Sequence, residues 1–256
     1  MSRPRNTFAE HAAEYASSRP RYPAAMFEWI ASVCGRRDAV WDCATGNGQA
    51  AGGIAPHFAR VVATDISVAQ LAHAVPRDNI RYCVCSAEEP ALRHDAFDLV
   101  IVAQALHWLD FDRFWPAVSR VARANALFVA WGYDWSETTP ELEASFVAPF
   151  REIVHPFWAA NNRIVWRGYR TDEVRFPYPR IDAPPFALEV DWTVAQLVEY
   201  MKTWSAYTRS RSDPAAVRAM DALMASTRAL RESPRRFDMR IPLYLLAGRI
   251  TAPAGL

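Results

Sequence analysis

The sequence predicts an α/β protein in which helices cover both faces of a mostly parallel sheet. Short apolar segments alternate with amphipathic ones along the first half of the chain, as strands and helices do in such sheets. A glycine-rich loop follows the first predicted strand, and polar side chains follow the next two. Folds of this class bind ligands at the carboxyl ends of their strands, so we expect a doubly wound sheet with its functional site at that edge.

The elements of the first half are short and regular. Apolar side chains at helical spacing, beginning with Met26 and Phe27, predict the first helix, and Pro23 suits its first turn. The predicted helices span residues 23–33, 49–58, 68–74 and 111–122. The predicted strands span residues 39–43, 60–64, 80–85, 98–102 and 126–131.

The second half of the chain has a different character. Residues 132–185 are rich in aromatic residues and proline and mix helix and strand patterns, which predicts an insertion after the fifth strand. Thr193 and Asp213 are suited to cap two later helices. Those helices are expected over residues 193–207 and 214–231, and strands over residues 186–192 and 237–246. We therefore expect one domain with a seven-stranded mixed sheet whose last hairpin is antiparallel.

The composition favours a globular protein that acts on a small molecule. The 256 residues include 29 basic and 28 acidic side chains, whereas a nucleic-acid-binding protein commonly has a basic surplus. The longest apolar stretches are too short to span a bilayer, and the amino terminus lacks the apolar segment of a signal peptide. The four cysteines have neither disulfide nor zinc spacing. We therefore expect reduced core thiols in a cytoplasmic protein, with no metal, nucleic-acid or membrane partner.

The glycine-rich loop narrows the choice of ligand. Four of the 9 glycines, Gly46, Gly48, Gly52 and Gly53, lie within one short segment between a strand and a helix. Glycine there permits positive φ and close approach of a ligand, and the absence of a following Lys-Ser/Thr pair excludes a nucleoside-triphosphate loop. Asp42, at the end of the strand, would repel a pyrophosphate but attract a cationic sulfonium or ammonium group. The charge of Asp42 therefore favours S-adenosylmethionine over NAD.

Two more polar sites follow the second and third strands. The Asp65 carboxylate is placed to accept both hydroxyls of a ribose, and Ser86 to meet an adenine amino group. Each residue has a structural alternative, because Asp65 can cap the helix that begins near Ser67 and Ser86 can cap a turn. Three polar sites at three successive strand ends nevertheless favour a nucleoside.

At this point the sequence resembles the class I S-adenosylmethionine-dependent methyltransferases, which have a Rossmann-like sheet. Residues 42–48 (DCATGNG) resemble their first motif, with Ala44 in place of the first glycine. The second to fourth motifs are matched by residues 63–67 (ATDIS), 86–90 (SAEEP), and 97–100 (FDLV) followed by 104–108 (QALHW). Before the fifth strand the family has a glycine turn, where we expect Asn125 to adopt the left-handed conformation instead.

The two ends of the chain resemble the trans-aconitate methyltransferase-like branch, also called methyltransferase type 11. Residues 8–23 are similar to the amino-terminal segment of that branch and 203–207 (TWSAY) to a carboxyl-terminal motif. The resemblance implies an amino-terminal helical lid and first helix over residues 1–34. It implies a cofactor-binding core over 35–131, an insertion forming the substrate pocket over 132–185, and strands and helices completing the sheet over 186–256.

The resemblance also assigns residues to roles. S-adenosylmethionine, which becomes S-adenosylhomocysteine, would be bound by Asp42, Ala44, Gly46, Gly48, Asp65, Ile66, Ser86, Ala87, Glu88, Gln104, Tyr15 and Arg19. The substrate would contact Tyr22, Trp108, Tyr133, Trp135 and Trp204. His107 is either a general base or a neutral wall of the pocket.

The function expected is methyl transfer to an oxygen or nitrogen atom of a small molecule, a carboxylate or a heteroaromatic ring, by a monomer or homodimer. Two alternatives stay open at this point. The first is an NAD-dependent oxidoreductase that uses the same loop. The second is a non-catalytic binding protein with a methyltransferase-like fold, for which the substitutions at Ala44 and the fifth-strand turn leave room.

Overall fold

The computed structural model describes residues 20–251, which fold as two compact units. The sheet unit comprises residues 21–134, 163–187 and 243–251. The helical unit comprises residue 20 with residues 135–162 and 188–242. The expected insertion, residues 132–185, is thus divided between the two units. Tyr15 and Arg19, with most of the expected lid, lie outside the described residues.

Within residues 20–251, eight strands form the sheet. They are β1 (Ala39–Cys43), β2 (Arg60–Asp65), β3 (Ile80–Val84), β4 (Phe97–Ala103), β5 (Ala122–Tyr133), β6 (Arg180–Ile181), β7 (Phe186–Thr193) and β8 (Arg236–Arg249). The order is β3-β2-β1-β4-β5-β8-β6, and β7 also pairs with β8. The first five strands pair in parallel, whereas β8 is antiparallel to β5 and to β6. The predicted mixed Rossmann-like sheet with an antiparallel end is confirmed.

The predicted number of seven strands is wrong. The added strand β6 has only two residues, and its Ile181 lies opposite Ala247 of β8. Two residues are too few to show the alternation of apolar and polar side chains by which a strand is recognised in a sequence.

The helices are shorter than the sequence suggests. They are α1 (Ala24–Val33), α2 (Gln49–Ile54), α3 (Val68–Leu71), α4 (Phe111–Val121), α5 (Pro140–Leu142), α6 (Ala148–Val154), α7 (Asn162–Trp166), α8 (Val194–Lys202), α9 (Ser205–Ser210), α10 (Pro214–Ser226) and α11 (Arg228–Glu232). A π-helical turn, Glu143–Val147, joins α5 to α6. Thr193 and Asp213 cap α8 and α10 with their side chains, as predicted. The helices expected over 193–207 and 214–231 are each interrupted, near Trp204 and at Thr227.

The core of the sheet unit lies on both faces of β1 and β4. All five side chains of β1 are buried, and so are the first six of β4. On one face α1 packs so closely on α2 that a Cβ atom on Gly53 would lie 2.1 Å from the Phe27 ring. On the other face the Trp115 indole of α4 donates a hydrogen bond to the carbonyl oxygen of Val174, at 2.9 Å. Residues 165–178 therefore belong to the core of the sheet unit.

The left-handed turn at Asn125 forms without the glycine that the methyltransferase family has there. Asn125 has a φ of 63°, the left-handed conformation predicted for it. The pairing of β4 with β5 shifts there, because Phe97 lies opposite Ala122 and Leu99 opposite Leu127. Four residues of β5 thus face one residue of β4, and the three extra residues form a bulge, so β5 begins at Ala122 rather than at the predicted residue 126.

Asp98 anchors the amino-terminal edge of the sheet. Its carboxylate is 2% exposed and accepts hydrogen bonds from the backbone amides of Asp38 and Ala39, at 2.9 and 3.0 Å. Arg123 of β5 donates to it at 2.6 Å. Asp98 thus joins the starts of β1, β4 and β5, at the edge opposite to the glycine-rich loop.

The expectation of four core thiols is wrong for Cys83. All four cysteines are free, and Cys34 and Cys43 are buried, but Cys83 is exposed and Cys85 is half-buried. The reason is that β3 is the outermost strand, and the single turn of α3 leaves much of its surface in contact with solvent.

Within residues 20–251, no helix is both long and apolar enough to cross a membrane. The same residues contain no cluster of three or more histidine, cysteine or acidic side chains that would hold a metal ion.

Candidate active site

The glycine-rich loop turns sharply between β1 and α2. Ala44, Gly46 and Gly48 have φ values of 55°, 58° and 81°. A side chain on Gly48 would meet the hydroxyl of Tyr82, because its Cβ would lie 2.5 Å from that oxygen. Ala44 adopts the left-handed conformation at a cost of roughly 1–2 kcal/mol. The loop therefore follows the backbone path that a glycine at position 44 would adopt with less strain.

Asp42 lies beneath this loop and is fully buried. Its carboxylate accepts a hydrogen bond from the Thr45 hydroxyl. Burial raises the pKa of Asp42 to about 7, against smaller lowering effects of the Thr45 hydroxyl and the Ala51 amide. The carboxylate is thus held out of water, where a cationic ligand on the loop would favour its charged form.

The Asp65 carboxylate joins the glycine-rich loop to the loop after β2. Its two oxygens accept the backbone amides of Gly46 and Ser67, each at 2.8 Å. The side chain of Ser67, not that of Asp65, caps α3 by accepting the Gln70 amide. Each carboxylate oxygen has a second acceptor position, which a pair of vicinal hydroxyls can use.

Two exposed apolar side chains, Ile66 and Val84, lie next to Asp65. Val84 lies opposite Asp65 on the neighbouring strand, and Ile66 follows Asp65 directly. The exposed large hydrophobic residues of the part of the chain described are Ile66 at 75%, Val68 at 66%, Val75 at 67% and Val84 at 60%. Large apolar side chains gathered beside a carboxylate favour a ligand with a flat apolar ring next to hydroxyl groups.

The loops after β3 and β4 lie at the same carboxyl edge of the sheet as Asp42 and Asp65. The Ser86 hydroxyl donates to Glu88 at 2.7 Å, and Glu88 also accepts the Asp110 amide at 3.3 Å. Ala87 between them is buried. Gln104 has a φ of 54°, and its side-chain amide donates to the carbonyl oxygen of Tyr133, 3.4 Å away. Ser86, Glu88 and Gln104 therefore lie at the ends of β3 and β4, as the sequence predicts.

His107 is a neutral, buried histidine. It lies in a short 3-10 turn, Leu106–Trp108, and is 4% exposed. Its Nδ1 atom is 3.0 Å from the Tyr169 hydroxyl, and burial lowers its pKa to about 3. Such a weak base favours the second alternative for His107, a neutral group in the wall of the site.

The five expected substrate residues fall into both units. Tyr22 packs edge-on against Trp131, with ring centroids 5.4 Å apart, Trp108 lies beside His107, and Tyr133 is 8% exposed; these belong to the sheet unit. Trp135 and Trp204 belong to the helical unit, where their rings are perpendicular with centroids 4.9 Å apart. The roles of all these residues stay predictions.

The sequence gives little sign of three residues that shape the site. Thr45 orients Asp42, Tyr82 covers Gly48, and Tyr169 contacts His107. Tyr82 was noticeable only as an aromatic residue on a predicted strand. Tyr169 lies in the insertion, where neither periodicity nor resemblance marks a functional residue.

Comparisons with known proteins agree with this geometry. Residues 41–130 match the methyltransferase domain family. A solved structure from Anaeromyxobacter dehalogenans, described as a type II methyltransferase, is 36% identical over 91% of this chain and 98% of its own, with a TM-score of 0.81. A Dictyostelium discoideum protein described as a methyltransferase is 23% identical over 94% of each chain. A Saccharomyces cerevisiae protein described as an S-adenosylmethionine-dependent methyltransferase is 25% identical over 91% of each chain.

Proposed function

This chain belongs to the class I S-adenosylmethionine-dependent methyltransferases, and we propose that it methylates an oxygen or nitrogen atom of a small molecule, a carboxylate or a heteroaromatic ring. The observation that carries the proposal is the position of Asp65. Its carboxylate lies between the glycine-rich loop and the loop after β2, beside the exposed Ile66 and Val84. An acid with free acceptor positions beside apolar side chains suits an adenosine group.

The residues present fit S-adenosylmethionine. Gly46 leaves the loop without a side chain where a ligand can approach, Gly48 gives the loop another positive φ, and Asp42 supplies a buried acid beneath it. We expect Asp65 to hold the ribose, Ile66 and Val84 to flank the adenine, and Gln104 to lie near the methionine end. The cofactor supplies a methyl group activated by a sulfonium, and the chain supplies orientation and exclusion of water.

The substitutions that left room for a non-catalytic protein do not distort the site. Ala44 and Asn125 both adopt positive φ, so the loop and the fifth-strand bulge keep their courses without glycine. The near-neutral charge supports a free small molecule rather than nucleic acid as the acceptor. We further propose that the enzyme acts in the cytoplasm as a monomer or homodimer. The narrower assignment to the trans-aconitate methyltransferase-like branch stays a prediction.

Two measurements test the proposal. Calorimetry should show S-adenosylhomocysteine binding at micromolar concentration, about 8 kcal/mol, and no comparable binding of NAD. Incubation with methyl-labelled S-adenosylmethionine and a cytoplasmic metabolite extract should then label a small molecule that mass spectrometry identifies. Binding of NAD with equal affinity, or label recovered only in nucleic acid or protein, would contradict the assignment.

A further inference from the structure

Tyr82 lies on the same face of the sheet as the buried Asp42. The residue opposite Asp42 on β2 is Ala63, and the residue opposite Ala63 on β3 is Tyr82. Side chains at paired positions of neighbouring strands point to the same face of a sheet, and neighbouring strands are about 4.8 Å apart. The Tyr82 ring can therefore extend over the small Ala63 side chain towards Asp42, whose backbone is roughly 10 Å away.

The ring of Tyr82 supports the glycine-rich loop at Gly48. A Cβ atom on Gly48 would lie 2.5 Å from the Tyr82 hydroxyl oxygen, and 2.9 and 3.0 Å from the ring carbons Cε1 and Cζ. The hydroxyl thus fills the space that a side chain at position 48 would need. Gly48 has a φ of 81° and directly precedes α2, so the contact lies where the loop passes into the helix.

The hydroxyl of Tyr82 is held in place by the segment between α3 and β3. It donates a hydrogen bond to the carbonyl oxygen of Val75, 3.2 Å away. The segment is itself fixed, because the Asn79 side-chain amide donates to the carbonyl oxygens of Ala55 and Phe58, at 2.9 and 3.1 Å. Tyr82 therefore connects the glycine-rich loop to a fixed acceptor outside that loop.

The surroundings of Tyr82 keep it a neutral donor. Burial raises the pKa of Tyr82 and the charge of Asp42 raises it further, against a smaller lowering effect of Arg77. The phenol therefore keeps its proton in the physiological range, and the carbonyl oxygen of Val75 can only accept it. The effect of Asp42 also agrees with the strand register, which brings Tyr82 towards the acid beneath the loop.

The two halves of the proposed cofactor meet different parts of the site. The adenosine half is expected at Asp65, whose carboxylate accepts the amide of Gly46. The methionine half carries the positive charge that Asp42 attracts, so we expect it over the part of the loop above Asp42. Tyr82 contacts the loop at Gly48, two residues after the amide that Asp65 holds. A change at Tyr82 should therefore disturb the methionine half and leave the ribose contact in place.

We propose that Tyr82 is a positioning residue, which holds the glycine-rich loop at Gly48 in the conformation that binds the methionine half of S-adenosylmethionine. This inference rests on the proposed methyl transfer and gives a role to a side chain outside the expected cofactor residues. The hydroxyl acts through the loop rather than on the reacting atoms. The same contact explains why position 48 has to be glycine, since a side chain there would collide with the hydroxyl that fixes the loop.

Two ligands that differ by the amino-acid half test this role. Tyr82→Phe removes the hydroxyl and leaves the ring. Calorimetry should show about fivefold weaker binding of S-adenosylhomocysteine, because a hydrogen bond that fixes the loop is lost, and unchanged binding of adenosine. The matched control is Tyr178→Phe, which removes a hydroxyl that bonds Ser119 at 2.9 Å elsewhere in the sheet unit. The control should keep both affinities.

The outcomes separate the inference from the proposed function. Equal losses of affinity for the two ligands in Tyr82→Phe, or no loss for either, would overturn the inference and leave the proposed function intact. Failure of the wild type to bind S-adenosylhomocysteine would defeat the proposed function and the inference with it.

The loop itself can be observed without a ligand. Hydrogen exchange measured by mass spectrometry on residues 45–52 reports the amides of Gly48 and Gly52, which donate to the carbonyl oxygens of Thr45 and Gly48. We expect faster exchange in Tyr82→Phe than in the wild type and no change in Tyr178→Phe. Exchange at the wild-type rate in Tyr82→Phe would count against the support of the loop by the hydroxyl.

A double-mutant cycle tests the contact between Tyr82 and the loop directly. Gly48→Ala places a methyl group against the Tyr82 hydroxyl, whereas Gly48→Ala combined with Tyr82→Val leaves room for that methyl group. The strain of the positive φ is common to both backgrounds and cancels. We expect Gly48→Ala to weaken S-adenosylhomocysteine binding about tenfold more in the wild-type background than in the Tyr82→Val background. Equal effects in the two backgrounds would overturn the inference.

Discussion

At the scale of single residues, the most consequential group is the buried carboxyl of Asp42. Its pKa in the folded protein is about 7, whereas the ordinary pKa of an aspartate carboxyl, as in the unfolded chain, is 3.8. The folded state therefore binds the proton more tightly than the unfolded state does. The contribution of this group to stability is greatest below pH 4 and is lost as the pH rises towards 7, because the unfolded chain then ionises more easily.

Asp42→Asn removes this dependence. Relative to the wild type, the variant should gain on the order of 2 kcal/mol in free energy of unfolding between pH 5 and pH 8. Denaturant unfolding of both proteins without cofactor at the two pH values measures the difference. The variant should also bind S-adenosylhomocysteine more weakly, since the acid beneath the loop is lost. Parallel pH profiles of the two proteins would show that Asp42 is ionised throughout.

A second prediction at this scale concerns Asp65. Replacing it by alanine leaves the amides of Gly46 and Ser67 without their acceptor and removes the proposed ribose contact. Asp65→Ala should therefore weaken S-adenosylhomocysteine binding by about 2–3 kcal/mol, measured by calorimetry.

The matched control for Asp65 is Ser67→Ala, which removes the cap of α3 and leaves the Asp65 carboxylate in place. It should lower the free energy of unfolding by about 1 kcal/mol and leave the affinity nearly unchanged. If both variants lose affinity equally, the loop geometry rather than the carboxylate determines binding.

At the scale of elements, the contact of α1 with α2 depends on a single glycine. Gly53→Ala would bring a methyl group against the Phe27 ring, so we expect a loss of about 1–3 kcal/mol in the free energy of unfolding. Gly52 precedes it in the same helix, but there the nearest atom to an added Cβ is on Arg77 at 3.7 Å. Gly52→Ala should therefore be neutral or gain up to about 1 kcal/mol. Thermal and denaturant unfolding measure both variants, and equal losses of stability in Gly53→Ala and Gly52→Ala would refute the contact.

The elements also show where sequence patterns carry information. The strands β1 to β4 were predicted to within one residue at each end, because short runs rich in apolar residues are bounded there by polar loops. The fifth strand was predicted too short, since a bulge at Asn125 breaks its pattern. The two long helices of the helical unit were predicted as continuous because no glycine or proline marks the breaks at Trp204 and Thr227.

The residues of the candidate site likewise divide into those that the sequence predicts and those that it does not. Residues at strand ends, such as Asp42 and Asp65, were predictable because topology alone brings strand ends together. Tyr169 was not, because its contact with His107 joins residues that lie 62 apart in the chain. Only the packing of the insertion on β5 brings them together.

At the scale of the whole molecule, the sheet separates its functional edge from its structural edge. Asp98 at the amino edge holds two backbone amides and Arg123, far from the loops that would bind the cofactor. Asp98→Ala should lower the free energy of unfolding by about 3 kcal/mol, because it leaves buried donors unpaired. The affinity of the folded protein for S-adenosylhomocysteine should not change.

The control for Asp98 is Asp38→Ala. The Asp38 side chain is 58% exposed, yet it contacts the same Arg123 at 3.3 Å. Water and salt already screen such a pair, so the midpoint of thermal unfolding should move little. A change in cofactor affinity on replacing Asp98 would show that the two edges are coupled through the sheet.

The exposed position of Cys83 makes it a suitable attachment site for a fluorophore that reports ligand binding. Its thiol is accessible on the outer strand, whereas Cys34 and Cys43 are buried, and replacing the half-buried Cys85 by serine would leave one reactive site. A maleimide fluorophore attached there would sit one residue before Val84, which flanks the proposed adenine position. Its emission would follow occupancy of that position in real time, so candidate ligands could be screened by titration before any product is known.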